Sequence, residues 1–522
     1  MRRLVLVLLA AGFAGSLSAQ SPSRDWRPSD RTVIGDFTRI TAVAAAIDRV
    51  YVTSTSALLI WNPQFQQWQG PFDPPDPGLL ARVTGALVDP LDHSVWLARS
   101  DGWVHYQPEL QIWDAGVVAD GVLTIAFDAN DPGIGLYLRT RRGWWLLPRG
   151  GFAAAPSRAP ARPTAPASID DVLRDNPSLQ AYSAQILVDP RLGVARYTAA
   201  ARSADNLGWY LGTSGVGLLY LSDGAGLPER MSFGLRSPVV GAVFGWTDGV
   251  WAATDRTALA PAALTYVESE FKSFRNVDGL PATGLPFTQV RRLAGQGSSL
   301  WAATDYGLAR IGTTDGRVDL LDAGRGLPDS RVYSVASRQG RITVGTRRGV
   351  VRVDDRLGIE RLAPRFADPA TAVFPAGDSV WVGTQRGVVL LVPGEDDAVR
   401  PAALAAVSLQ APVVALASLG DTIVALTRDQ LLWRDPRTEA WSLGPNLSGV
   451  LGGLLAFAAD GPGFWVAGDR GIGFARLDSP PLLSLRQGDL PAPANDLTVN
   501  GDYLWVATDA GLVRFRLDAI RP

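Results

Sequence analysis

One cassette recurs along this chain: an apolar run carrying an aromatic residue, a threonine, two turn residues, a glycine and a second apolar run. Its clearest copies are Leu300-Trp301-Ala302-Ala303-Thr304-Asp305-Tyr306-Gly307-Leu308, Val380-Trp381-Val382-Gly383-Thr384-Gln385-Arg386-Gly387-Val388 and Leu504-Trp505-Val506-Ala507-Thr508-Asp509-Ala510-Gly511-Leu512. Weaker copies fill the intervals. With the aromatic or its equivalent as marker, the series runs Tyr51, Trp96, Tyr137, Trp209, Trp251, Trp301, Thr343, Trp381, Val424, Trp465 and Trp505, with spacings of 45, 41, 72, 42, 50, 42, 38, 43, 41 and 40 residues. Apart from one long gap, the period is about 42 residues, the length of a four-stranded propeller blade. The 3.6-residue periodicity that a helical solenoid needs is absent from the cassettes.

Each period reads as strands. Between Arg331 and Val353, Val332 to Ala336 forms a first strand, Ile342 to Gly345 a second and Val350 to Val353 a third, with a variable fourth to follow. The Thr-x-x-Gly between second and third is a short hairpin in which glycine supplies the positive φ. The second strand is apolar without polar alternation, so both its faces are buried, as they are when blades stack around an axis. Its tryptophan is then an inter-blade packing residue rather than a ligand platform. The expected fold is an all-β propeller assembly of about eleven four-stranded blades.

Composition agrees with this punctuation. Gly 55 and Pro 37 make up about 18 % of 522 residues, against about 12 % in average usage. With 47 % hydrophobic residues and 17 tryptophans the chain can bury large cores. It has no cysteine and two histidines, which removes disulfides, thiolate nucleophiles, cysteine zinc sites and histidine-rich metal centres, so neither metal nor cofactor is expected. A formal net charge of −2 gives no basis for a general polyanion binder, and no nucleic-acid partner is expected. Met1-Arg2-Arg3, the apolar run Leu4 to Ala11 and the small residues up to Ala19 read as a secretory signal peptide over residues 1–19. No later apolar run approaches the ~20 residues of a membrane span. The expected location is the periplasm, the outer-membrane surface or the extracellular space.

A second signature precedes the first strand of several periods: Gly226-Leu227-Pro228, Gly279-Leu280-Pro281, Gly326-Leu327-Pro328 and the variant Asp489-Leu490-Pro491. Together with Leu-Trp-x-x-Thr-x-x-Gly-Leu it resembles the two-component-regulator propeller repeat, over most of the chain from about Thr38 to Leu517. The resemblance implies a secreted or envelope-facing propeller, as in the sensor ectodomains of hybrid kinases and the propeller component of the type IX secretion system. Unlike the sensor members, this chain shows no kinase segment and no β-sandwich after the propellers.

Eleven blades fit no common single ring, since propellers have four to eight. The sequence divides as three blades in 30–150, a Pro/Ala-rich linker with a short helix near Asn176 in 151–195, and eight blades in 196–522. Because three blades cannot close a ring, they are expected to join C-terminal blades, giving two propellers; one large ring is the alternative. A strand from Thr32 to Asp36 is expected to complete the last blade beside Val513 to Leu517.

Antiparallel order puts the second-to-third hairpins and the Gly-Leu-Pro loops on one face of a ring. Arg347, Arg348 and Arg386 lie at those hairpin tips as a basic rim suited to a carboxylate, phosphate or sulfated sugar, with Asp305 and Tyr306 beside them. His93 and His105 show no convergent partners and read as surface and packing residues. Trp144-Trp145 lies in a strand, so one ring faces each side. No catalytic constellation is assembled. The expected function is that of an exported, non-enzymatic binding or scaffold protein for a protein or glycan partner. The alternatives are a polysaccharide lyase or hydrolase and a periplasmic ligand-sensing accessory to a two-component system.

Overall fold

The threonine of each cassette ends its strand, and its hydroxyl closes the hairpin that follows. In the computed structural model Thr304 Oγ1 donates to Gly307 O at 2.7 Å and accepts from Tyr306 N at 3.1 Å. Thr346 does the same with Gly349 and Arg348, Thr384 with Gly387 and Arg386, and Thr508 with Gly511 and Ala510. Each of these threonines is buried, so the hydroxyl satisfies turn groups that water cannot reach. Gly349 sits at φ 111° and a Cβ there would lie 2.7 Å from Phe366 O, which explains why this position is glycine.

The structure describes residues 26–522 except 36, 177–185, 190–192, 225–226, 259, 280–283 and 400–410. The expected signal peptide, residues 1–19, lies outside them, as do Gly226, Leu280 and Pro281 of the Gly-Leu-Pro loops. Among the described residues there are eleven antiparallel sheets, one for each cassette, and no helix is long and apolar enough to cross a membrane. Trp251, Trp301, Trp465 and Trp505 are buried between sheets, and Arg310 and Arg514 lie across the rings of Trp301 and Trp505, their cross-strand partners. The repeated tryptophan therefore packs blades together.

Seven blades close a ring. The inner strands Val240–Trp246, Val290–Gln296, Val332–Arg338, Ala372–Ala376, Val413–Leu419, Leu454–Asp460 and Ala494–Asn500 pack side by side in that order, and the last packs against the first. The closing seam combines an apolar core, with Val243 and Val250 against Trp505 and Ala507, with directional polar contacts. Asn500 Nδ2 donates to Trp246 O and Gly249 O at 2.8 Å each, and Val243 N donates to Asp496 Oδ2 at 3.1 Å. The N-terminal strand forms as Arg31–Ile34 and pairs antiparallel with Leu512 to Phe515 as the outer strand of the final blade.

The grouping of the early blades differs from the sequence expectation. They do not join C-terminal blades in a ring. The inner strand Ile40–Ala45 packs between Val83–Val88 and Gly193–Arg202, and Val83–Val88 packs next against Thr124–Asp128. Four blades thus form an arc, with the blade after the long gap beside the first. Nor is the Pro/Ala-rich segment simply an exposed linker: Ala155–Ser157 is the outer strand of the third blade and Pro163–Thr164 an added strand at its inner edge. The helix Ile169–Asp175, capped by Ser168, lays Val172 on the flank of the fourth blade formed by Ala200, Trp209 and Leu219. The opposite face of that blade, through Ala201 and Tyr210, belongs to a core shared by the arc and the ring. An aromatic seam runs through this core, with Trp68 and Phe37 against Phe233 at 5.1 and 5.0 Å and Phe233 against Phe274 at 4.4 Å.

Ile34 is fully buried in that shared core. Ile34→Ala should therefore lower stability by about 2–5 kcal/mol, the cost of a large-to-small change in a packed core. Urea unfolding followed by tryptophan fluorescence measures it, and a loss below about 1 kcal/mol would mean that the strand contributes little to closure.

Candidate functional site

Six of the seven inner strands of the ring carry a register shift at the same place, just after their first residue. The residues at these bulges are Gly241, Arg291, Tyr333, Val414, Leu455 and Asn495. A bulge bends the strand and re-aims one side chain. Here the bulged positions meet the hairpin tips around the axis, and five blades on one side of the mouth line a polar cavity of about 400 Å³. Arg291, Arg292, Tyr333, Asn495, Asp255 and Asp509 form its wall. Gly241 leaves room for them: a Cβ would lie 3.1 Å from Val290 O and 3.3 Å from Asp255 Oδ1.

Most groups in the wall are held by one another. Asp255 accepts from Gln289 Nε2 at 3.1 Å and Val290 N at 3.3 Å, and Asn495 Nδ2 donates to Asp509 Oδ1 at 2.7 Å and Val240 O at 3.0 Å. Arg292 Nη1 lies 3.6 Å from Asp496 Oδ1. Arg291 differs. Its guanidinium lies over the Tyr333 ring at 5.2 Å, and its Nε is buried without a hydrogen-bond acceptor. Burial pushes the carboxyls of Asp255 and Asp496 above the usual carboxylate range; hydrogen bonds and the nearby Arg291 and Arg292, respectively, act in the opposite direction. The site thus offers carboxylate acceptors, amide and guanidinium donors, and an aromatic ring within one concave volume.

The residues expected from sequence are placed elsewhere and do not converge. Asp305 is a loop clamp: it accepts from Thr288 N at 3.0 Å, Thr288 Oγ1 at 2.5 Å and Gln289 N at 3.1 Å. Burial opposes its charge, yet these hydrogen bonds hold its carboxyl below the usual range. Tyr306 is exposed at its hairpin tip. Arg386 Nη2 donates to both carboxylate oxygens of Asp368 at 3.0 and 3.1 Å, and Arg348 lies 3.8 Å from Asp329. Arg347 is exposed. The expected basic rim is therefore largely matched by acids on the preceding loops, and none of its residues lines the cavity.

Sequence reasoning passed over Arg291, Tyr333 and Asn495. A signal was present: each follows the first apolar residue of an inner strand, in Val290-Arg291-Arg292, Val332-Tyr333-Ser334 and Ala494-Asn495-Asp496. His105 was read as lacking partners, and the structure corrects this. Its Nε2 lies 2.7 Å from Ser94 Oγ and its ring stacks on Trp96 at 3.9 Å. His93 lies on the surface with Nδ1 3.2 Å from Asp48 Oδ1. Trp144 and Trp145 face opposite sides, Trp144 against Arg139 and Trp145 on the core between the second and third blades.

A carboxyl whose pKa is raised by folding favours the native state at low pH and opposes it once the pH rises through the folded value. Asp255→Asn should accordingly be more stable than the parent near neutral pH. The advantage should shrink as acid protonates Asp255, and melting temperatures of both proteins across the acid range check this.

No family model matches the chain, and no curated protein is similar to it in sequence. Among solved structures it is similar to the extracellular domain described as part of a hybrid two-component system of B. thetaiotaomicron, at 13 % identity and a TM-score of 0.45 over 95 % of this chain and 77 % of that one. It is also similar to PorZ, a surface component of the type-IX secretion system of Porphyromonas gingivalis, at 13 % identity and a TM-score of 0.44 over 92 % of this chain and 69 % of that one. A third is the extracellular domain of a B. thetaiotaomicron protein described as a one-component system, at 13 % identity and a TM-score of 0.44 over 92 % of this chain, which spans 64 % of that domain's length. The assignment of this chain as a β-propeller protein rests on its own sheet order and closed ring.

Proposed function

We propose that this protein is an exported, non-enzymatic binding protein that takes the end of a hydroxyl-rich glycan into the axial mouth of its seven-blade ring. One observation carries the reading: the strand bulges bring Arg291 over Tyr333 at the mouth of a polar cavity, with a buried Nε–H that has no acceptor. A guanidinium in the wall with no carboxylate partner among the described residues can donate to a ligand oxygen. The wall holds two arginines, Arg291 and Arg292, and two acidic side chains, Asp255 and Asp509, so the mouth holds no excess of positive charge to favour a polyanion. Alternating donors and acceptors suit vicinal hydroxyls, each of which donates and accepts. A volume of about 400 Å³ lies within the usual range for small-ligand sites. Export is supported by the basic, apolar and small-residue order of the first 19 residues.

A glycan array carrying neutral and uronate oligosaccharides, followed by calorimetry, tests this. Binding of neutral oligosaccharides is expected, weakened at least tenfold by Arg291→Ala, since a hydrogen bond from a charged group contributes about 1.5–3 kcal/mol. Arg348→Ala and Arg386→Ala should bind as the parent does. No saccharide binding, or parent-like binding by Arg291→Ala, overturns the reading.

A further inference from the structure

A second cavity, of about 240 Å³, opens between the second and third blades of the arc, on the face opposite the hairpin tips. A row of side chains crosses the second blade into it. Trp96, His105 and Asp114 are successive cross-strand partners on three adjacent strands, so all three point to the same side of the sheet. His105 is 7 % exposed. Around it stand Asp89, Asp92 and Arg149, and the far wall is apolar, made by Phe127, Leu136 and Leu147.

The hydrogen bonds determine which imidazole nitrogen is available. Ser94 Oγ lies 2.5 Å from Asp92 Oδ1, and the same carboxylate oxygen accepts from Ser94 N at 2.9 Å. Burial works against the Asp92 charge, but these bonds hold its carboxyl below the usual range, so the single hydroxyl proton of Ser94 goes to Asp92. Ser94 Oγ must then accept from His105 Nε2–H at 2.7 Å. In neutral His105 that leaves Nδ1 as a bare acceptor, with the Asp114 carboxylate 4.0 Å away and no donor between them. Arg149 does not fill the gap, because both of its contacts at 2.8 Å go to Asp89, itself buried and accepting from Trp96 Nε1 at 3.2 Å.

Two acceptors facing one space call for a donor, and three carboxylates against one guanidinium call for a cation. Among the described residues no three acidic or histidine side chains converge as a metal site. We infer that this cleft binds an organic cation, a primary amine carried on an apolar or aromatic body, with the ammonium between His105 Nδ1 and Asp114 and the body against Phe127, Leu136 and Leu147. Phe152, 80 % exposed at the rim behind Gly150 and Gly151, is placed to cover it. This site is separate from the axial mouth and shares no residue with it.

Calorimetry with phenethylamine, and with 3-phenylpropionate as a carboxylate of similar body, tests the inference on the full chain. The amine should bind at least tenfold more tightly than the carboxylate. Asp114→Asn should weaken it at least tenfold, whereas Arg291→Ala should leave it unchanged. Asp114 is partly exposed, so its variant should fold, and Phe152→Ala provides a second one that leaves the polar row intact and should weaken the amine moderately. Burial lowers the His105 pKa against the pull of Asp92, Asp114 and Asp89 and with the push of Arg149, so the ring is neutral near pH 7. Amine affinity should fall in acid as His105 gains a proton. No amine binding, equal binding of the carboxylate, or loss in Arg291→Ala with none in Asp114→Asn overturns the proposal.

Discussion

Closure is the constraint on which the ring depends. Each blade exposes two apolar faces, and an open row of blades leaves its two end faces bare to water. The ring meets this by packing Ala494–Asn500 against Val240–Trp246 and by taking its final outer strand, Arg31–Ile34, from the other end of the chain. The closing seam adds directional contacts to its apolar core: Asn500 and Asp496 find backbone partners on the first blade of the ring. Hydrogen bonds of this kind fix register as well as contributing stability, which suits the one seam joining strands about 250 residues apart in sequence.

Closure also explains where the ligand site can form. Inside the closed ring the inner strands pack side by side around the axis. Bulges at the second residue break that regularity at one end only, turning Arg291, Tyr333 and Asn495 into the mouth. Val414 and Leu455 occupy the same bulge position across the axis, outside the cavity lining, so the polar wall is one-sided. In the proposed binding mode a ligand would be gripped from one flank and enter from the hairpin face.

Much of the fold was legible because its signals are local. Thr304 and Gly307, or Thr508 and Gly511, must be three residues apart for the hydroxyl to reach the glycine carbonyl, and that spacing recurs in the sequence. Grouping was not legible, because it depends on which faces meet. The long gap before Trp209 reads as a separator, yet Val172 within it covers one flank of the fourth blade while Ala201 and Tyr210 on the other flank face the shared core. The rim arginines were legible as charges but not as pairs, since Asp368 and Asp329 reach Arg386 and Arg348 only once the loops are folded.

The two cavities illustrate a general consequence of blade geometry. A propeller makes concave space in two ways: at the axis, where inner strands from many blades meet, and between neighbouring blades, where two sheets splay toward one face. The axial mouth draws its residues from five blades, at bulge positions and hairpin tips, so its chemistry is mixed. The inter-blade cleft draws a whole cross-strand row from one blade, Trp96, His105 and Asp114, and can concentrate one kind of group. The third blade, which forms the far wall of the cleft, departs from the four-stranded repeat through its added inner strand Pro163–Thr164 and the turn Arg149 to Phe152. Departure from the repeat, rather than the repeat itself, accompanies the cleft in this packing seam.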